Sequence, residues 1–261
     1  MYAKSLKIFF ITGAYLHHSC WDEWILFFTK KGYECLAPNW PQKNGSIESL
    51  WQRHPDHLLA ATTLEDIVDY YTKHISNEQN TTRPILVGHS MGGLIVQILL
   101  QNGLGSAGIV IQSIPPLGVF SLDLAFLRSN LGPLGLTSSQ RKPYVMSFGL
   151  WQYSFTNGMT EQLQRSLYKN YLTAESRILI RGTYSGSAKV NFNKKHSPLL
   201  LIAGSNDHMA PASLNYNNYK KYLKNTSLTE YKEFSCRSHF SLMQKGWEEI
   251  ADYIFNWITS L

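Results

Sequence analysis

The chain has 261 residues, of which 44% are hydrophobic and 16% are charged, so it is long enough to bury a core and too apolar to be disordered. Its formal net charge is +6, but the lysines and arginines are scattered along the chain, with no long basic block. This distribution argues against a nucleic-acid partner. The three cysteines, Cys20, Cys35 and Cys236, are too few for a disulfide framework and complete no pattern of a structural zinc site.

An apolar run near the start of the chain, IFFITGAYL, superficially resembles a secretion signal because Lys4 and Lys7 precede it. No small-residue cleavage site follows the run, and two histidines come next, so a buried strand explains it better. No apolar stretch reaches the roughly 18–20 residues that a membrane span needs. We therefore predict a cytoplasmic protein without a membrane span, either a monomer or a homodimer.

Six short apolar runs alternate with helical patterns along the chain. Five of them are continuous, which is typical of strands covered on both faces, and the sixth alternates, which suits a strand near the edge of a sheet. In chain order, with the alternating run last, they are 7–12, 33–38, 84–89, 107–112, 198–204 and 228–234. This alternation predicts an α/β fold of three layers, in which helices cover both faces of a mostly parallel, doubly wound sheet.

The segment 114–196 interrupts the alternation of strands and helices. It shows no core-strand pattern and is rich in aromatic residues, among them Trp151 and Phe155. We predict that this segment is a helical lid, inserted into a core that residues 1–113 and 197–261 form. Its aromatic side chains either line a hydrophobic cavity or simply pack the lid onto the core.

The stretch ILVGHSMGGL, residues 85–94, carries the strongest indication of catalysis. The pentamer G-x-S-x-G is weak evidence alone, but here a strand pattern precedes it and a buried-helix pattern follows it. Strand, sharp turn and helix make up a nucleophile elbow, in which Gly88 and Gly92 let backbone segments approach closely. Ser90 would then be an exposed nucleophile at a helix N-terminus, and His89 would point away from it.

A serine hydroxyl needs a base that takes its proton and a carboxylate that orients the base. On this type of fold the chain order is Ser, acid, His, and both partners are present in that order. Asp207 follows the run 198–204, and His239 follows the next predicted strand. Because catalytic groups lie at the carboxyl ends of the strands in such sheets, we predict a triad of Ser90, Asp207 and His239. The loop 111–116, after the preceding strand, contains no carboxylate.

These motifs resemble those of the α/β-hydrolase family over essentially the whole chain. GHSMGGL, LIAGSNDHMAP and the late SHF match family blocks, and ITGAYLHHSCWDEW resembles VHGAxHGxWCW of small lid-bearing hydrolases and plant-type esterases. The resemblance implies an eight-stranded type of sheet, ester or related acyl chemistry, and neither a metal ion nor an organic cofactor. The family also contains haloperoxidase-like, carbon–carbon-cleaving and lyase members, so the fold leaves the reaction open.

The resemblance also implies an oxyanion hole made of backbone N–H groups. We assign these to Ala14, just after Gly13, and to Met91, just after the nucleophile. The family's His-Gly pair reads Thr12-Gly13 here. We expect the Thr12 hydroxyl to brace the loop through a hydrogen bond in place of the histidine.

The sequence predicts four residues of the substrate pocket. We expect Tyr15 and His17, which follow the oxyanion loop, to line the pocket together with Trp151 and Phe155 of the lid. The interpretation is a carboxylesterase-like serine hydrolase that acts on a small hydrophobic substrate through an acyl-enzyme. The alternatives are a lyase, a carbon–carbon hydrolase or a haloperoxidase-like enzyme with the same triad, or a non-catalytic ligand-binding protein.

Overall fold

A computed structural model describes residues 6–76, 83–135 and 137–261. In this part of the chain six strands form one sheet in the order β2-β1-β3-β4-β5-β6. The strands are β1 (Lys7–Ile11), β2 (Glu34–Leu36), β3 (Ile85–His89), β4 (Ala107–Ile111), β5 (Leu199–Gly204) and β6 (Thr229–Phe234). Each strand lies within one of the six predicted runs, and the alternating run forms the edge strand β6.

All neighbouring strands pair in parallel. The register of β3 on β4 runs from Ile85 opposite Ala107 to His89 opposite Ile111. Every residue of β3, β4 and β5 is buried, as expected for strands covered on both faces. The described residues form six strands rather than the eight that the resemblance implies, because each apolar run supplies one strand and the connections are helical or irregular.

Helices occupy most of the connections between the strands. The α-helices are α1 (Asp22–Lys30), α2 (Ile47–Gln52), α3 (His57–Ala61), α4 (Leu64–Ser76), α5 (Met91–Gln101), α6 (Leu124–Leu134), α7 (Phe148–Ser154), α8 (Glu161–Tyr171), α9 (Arg177–Gly182), α10 (Ala212–Tyr222) and α11 (Glu248–Ser260). Among the described residues, no helix combines the length and the apolar character that crossing a bilayer requires.

The helices form two layers, one on each face of the sheet. The crossovers β1–α1–β2 and β3–α5–β4 run in opposite directions across the sheet. Crossovers between parallel strands are right-handed as a rule. Two such crossovers in opposite directions place α1 and α5 on opposite faces of the sheet. Beside α1 lies α11, where the Trp24 and Trp247 ring centroids are 5.2 Å apart. Beside α5 lies α10, where Asn218 and Tyr222 donate hydrogen bonds of 3.0 Å to Gln97. The predicted three-layer α/β/α architecture is therefore confirmed.

The connection between β4 and β5 lies against the loop that follows β1. Its described residues form helices α6–α9 and no strand of the sheet. An isolated antiparallel bridge pairs Leu16 with Leu172. Next to it, the N–H of Thr173 donates to the carbonyl of Tyr15 at 2.8 Å. This short backbone ladder fixes one side of the helical segment to the core.

Candidate active site

Ser90 lies in a tight turn between β3 and α5, with φ of 56° and ψ of −119°. A residue other than glycine is strained at such a positive φ, so the surrounding backbone has to hold it there. The Ser90 N–H donates to the carbonyl of Ile111 at 3.0 Å. A Cβ on Gly88 would overlap the Gly92 carbonyl, and a Cβ on Gly92 would overlap the carbonyl of Ile11. The glycines are therefore required by the close approach of the turn to α5 and β1.

Ser90, His239 and Asp207 form one row of hydrogen bonds. The His239 Nε2 lies 2.9 Å from the Ser90 Oγ, and the Nδ1 lies 2.8 Å from the Asp207 Oδ2. The other carboxylate oxygen, Oδ1, accepts the N–H groups of Met209 and Ala210, both at 2.8 Å. Because a carboxylate only accepts, this pattern assigns a proton to Nδ1 and leaves Nε2 to accept from the serine hydroxyl. The structure thus brings together the three residues that the sequence motifs singled out.

Gln112 supports the loop that carries His239, although no sequence pattern pointed to it. Its side-chain amide donates to the Ser238 carbonyl at 2.6 Å and accepts the Ser241 hydroxyl at 2.6 Å. Gln112 therefore binds residues on both sides of His239 along the chain. The Phe155 ring packs edge-on against the His239 ring, with centroids 4.8 Å apart. One feature of the sequence could have indicated Gln112: it directly follows β4, at the same end of the sheet as the predicted triad.

His89 is fully buried beside the row of hydrogen bonds, and its Nε2–H donates to the backbone carbonyl of His239 at 2.7 Å. Burial lowers the pKa of His89 well below its usual value, and the neighbouring His239 ring lowers it further. The side chain is therefore neutral in the folded protein near pH 7.

This buried histidine makes stability depend on pH. Below its ordinary pKa of 6.5 the unfolded chain protonates His89 while the folded chain does not, so the free energy of unfolding falls as the pH falls. We expect His89→Gln to remove up to about 1.4 kcal/mol of this loss per pH unit. Urea unfolding at several values between pH 7 and pH 5 measures the slope, with a change at the exposed His57, His57→Gln, as the control. Equal slopes for wild type and His89→Gln would refute this expectation.

The predicted oxyanion donors lie on either side of Ser90. Met91 is the first residue of α5, whose N-terminal N–H groups lack partners within the helix. Ala14 follows Gly13, whose backbone packs against the Ser90 side chain. Both Ala14 and Met91 line the cavity beside Ser90. Within the described part of the chain, neither N–H donates to a protein acceptor, so both can serve a ligand.

The prediction that the Thr12 hydroxyl holds the oxyanion loop through a hydrogen bond is wrong. Its buried hydroxyl finds no hydrogen-bond partner among the described residues. The loop is instead held one residue past Ala14, where the N–H of Tyr15 donates to the Glu175 Oε2 at 3.0 Å. The bracing group therefore comes from the segment between β4 and β5, far away along the chain.

A cavity of about 30 Å³ opens directly beside Ser90, and Tyr15 and Phe155 are part of its wall. It adjoins a larger cavity of about 220 Å³ between the loop after β4, helix α6 and the residues that directly follow α9. The walls of both include Ile114, Phe126, Asn130, Thr183 and Tyr184. The larger cavity adds leucines of α6, and the smaller one adds Ile180 of α9. The space that leads away from the serine is therefore mostly apolar.

Two of the four predicted pocket residues lie outside this cavity. The His17 ring is within hydrogen-bond distance of the Ser19 hydroxyl, at 2.8 Å, and of the Gly45 carbonyl in the connection between β2 and α2, at 2.9 Å. Trp151 is fully buried, and its centroid lies 4.9 Å from that of Phe155 in a stacked arrangement. Phe155 is part of the cavity wall, whereas Trp151 and His17 are not among the described residues that line it, and their contacts with a substrate stay a prediction.

The chain belongs to the alpha/beta hydrolase family, whose model matches residues 8–253. No curated protein matches it in sequence. Three solved structures illustrate the shared fold. An extracellular alpha/beta-hydrolase from a Paenibacillus species has a TM-score of 0.71 and 15% identity, covering 96% of this chain and 98% of its own. A methylesterase from Arabidopsis has a TM-score of 0.70 and 13% identity, covering 98% and 99%. The monoacylglycerol lipase of Paleococcus ferrophilus has a TM-score of 0.67 and 17% identity, covering 99% and 96%.

Proposed function

We propose that this protein is a serine hydrolase that cleaves an ester or related acyl bond of a small, hydrophobic substrate. The observation that carries the proposal is the row of hydrogen bonds from Asp207 through His239 to Ser90, at 2.8 and 2.9 Å, beside an apolar cavity. Ser90 attacks the carbonyl carbon while His239 takes the hydroxyl proton and then gives it to the leaving group. Asp207 fixes the tautomer and stabilises the imidazolium. Water, activated by His239, releases the acyl group.

The N–H groups of Ala14 and Met91 hold the oxyanion that forms in each step. One such donor is worth about 3–4 kcal/mol of transition-state stabilisation in comparable sites. The N-terminal position of Met91 on α5 adds the favourable end of the helix dipole. Neither group has to be displaced from a protein acceptor before it binds the oxyanion.

We also propose that residues 114–196 act as a lid on a core formed by residues 1–113 and 197–261. Helix α6 and the two residues that follow α9, Thr183 and Tyr184, supply much of the wall of the larger cavity. Its apolar side chains suit a hydrophobic acyl or alcohol group, and Tyr15 and Phe155 contact the group nearest to the serine. The names of two structural neighbours, a methylesterase and a monoacylglycerol lipase, also favour an ester as substrate.

A panel of p-nitrophenyl esters, lactones and thioesters tests the proposal with wild type and Ser90→Ala. We expect hydrolysis by the wild type and a loss of kcat by several orders of magnitude in the variant, down to the background of the assay. Ser166→Ala, at an exposed position of α8, is the matched control and keeps full activity. Turnover by Ser90→Ala at the wild-type rate would disprove the role of this serine. A wild type that hydrolyses none of the panel would favour a lyase or a binding protein.

A further inference from the structure

A buried ion pair connects the proposed lid to the core. The Lys43 Nζ lies 2.6 Å from the Glu175 Oε2, and only 4% and 1% of the two side chains are exposed. Lys43 belongs to the connection between β2 and α2, and its ammonium also lies 4.9 Å from the centroid of the Trp40 ring. Charges that are buried this deeply need both a counter-charge and full hydrogen bonding to be tolerated.

The Glu175 carboxylate meets this requirement with three donors. Besides Lys43, the Oε2 accepts the N–H of Tyr15, and the Oε1 accepts the N–H of Ser176, both at 3.0 Å. Two of the donors therefore belong to the core and one to the lid segment. The carboxylate joins the loop after β1, the connection after β2 and the segment before α9 at one point.

The contact with Tyr15 falls on a strained part of the oxyanion loop. Tyr15 has a φ of +67°, in the left-handed region that disfavours a residue with a side chain. Its N–H is held by Glu175 and its carbonyl by the N–H of Thr173, at 2.8 Å. Both peptide units that flank the Tyr15 Cα are therefore held, and the Ala14 N–H belongs to the peptide unit that directly precedes them.

We infer that Glu175, with Lys43 as its counter-ion, is a positioning residue that aims the Ala14 N–H at the oxyanion. The inference rests on the proposed function, since it concerns the donors of that reaction. A buried ion pair contributes little net stability compared with apolar side chains of similar volume. Here the carboxylate of the pair also accepts the N–H of Tyr15, so the pair bears on the position of the oxyanion loop. A charge-assisted hydrogen bond holds the Tyr15 N–H more tightly than a neutral acceptor does. The lid segment thereby completes the oxyanion hole, in addition to covering the cavity.

Glu175→Gln tests this role because the amide keeps the shape but loses the charge. We expect kcat for the best p-nitrophenyl ester to fall about 10- to 100-fold with KM changed less than twofold, since a displaced oxyanion donor acts on the transition state. The inhibition constant of an alkyl trifluoromethyl ketone, which forms a tetrahedral adduct on the serine, rises by a similar factor. The end point of fluorophosphonate labelling gives the concentration of active sites, and kcat is calculated from that concentration. A loss of folded protein therefore does not appear as a lower kcat.

Two further variants complete the experiment. The double variant Lys43→Met with Glu175→Gln leaves no buried charge unpaired, so it provides a folded protein if the single variant does not fold, and it shows the same fall in kcat. Glu161→Gln breaks an exposed ion pair with Arg165 on α8 and leaves kcat and ketone binding unchanged. Wild-type kcat per site and wild-type ketone affinity in the folded Glu175 variants would overturn the inference. Failure of the proposed function is a separate result, since it appears as activity of Ser90→Ala or as a wild type that hydrolyses none of the esters, lactones and thioesters.

Discussion

Asp207→Asn is expected to lower kcat by about 10⁴-fold while the protein stays folded. The Oδ1 of Asp207 accepts two backbone N–H groups, those of Met209 and Ala210. In the variant the single amide oxygen takes this place, so the amide NH₂ group faces the His239 Nδ1. Two donors cannot face each other, so the ring shifts its proton to Nε2 and can no longer accept the proton of Ser90.

Steady-state kinetics on the best ester substrate, together with urea unfolding, measure this effect. Asp123→Asn is the matched control, since Asp123 caps the N-terminus of α6 by accepting the N–H of Ala125, a role that asparagine can also fill. We expect the control to keep its activity. A kcat for Asp207→Asn within tenfold of wild type would show that this carboxylate does not set the tautomer of His239.

Gly92→Ala is expected to destabilise the protein by about 3 kcal/mol or more, or to prevent folding. The added Cβ would overlap the carbonyl of Ile11, which belongs to β1, an interior strand that pairs with β2 and β3. Helix α5 is buried over nearly its whole length, so it cannot shift away without opening the core. The close approach of α5 to β1 also places Ser90 at the cavity.

Gly149 offers a matched control for this substitution. It is the second residue of α7, as Gly92 is the second residue of α5, but a Cβ there has no neighbour within 4 Å. We expect Gly149→Ala to be neutral or to stabilise the protein by up to about 1 kcal/mol, because alanine favours helix. Thermal or urea unfolding of both variants gives the comparison. Similar stabilities for Gly92→Ala and Gly149→Ala would refute the steric argument.

The sheet and the triad geometry could be predicted because their signals are local. Five of the six strands lie in continuous apolar runs, which indicate buried parallel strands, and the edge strand β6 lies in the alternating run. Ser90 directly follows β3, and Asp207 and His239 lie in the loops that follow β5 and β6. Parallel strands bring their carboxyl ends to one edge, so residues that are far apart along the chain are placed together by topology alone.

The support of the site could not be predicted, because it depends on contacts without a local pattern. The hydrogen bond from Tyr15 to Glu175 spans 160 residues, and nothing in the sequence around position 175 marks a buried carboxylate. Thr12 was expected to brace the loop since it replaces a family histidine, but its hydroxyl has no partner among the described residues. The aromatic content of residues 114–196 likewise did not reveal that Phe155 lines the cavity while Trp151 stacks on Phe155.

Labelling with a fluorophosphonate, followed by intact-mass and peptide analysis, tests most directly whether Ser90 is an activated nucleophile. The reagent phosphonylates a serine whose proton is taken by a neighbouring base, and it leaves ordinary serines unmodified. We expect one adduct per wild-type chain, located on the peptide that contains Ser90, and none on folded Ser90→Ala. Folded wild type that takes up no label, or a Ser90→Ala variant that is labelled equally, would contradict the proposed mechanism.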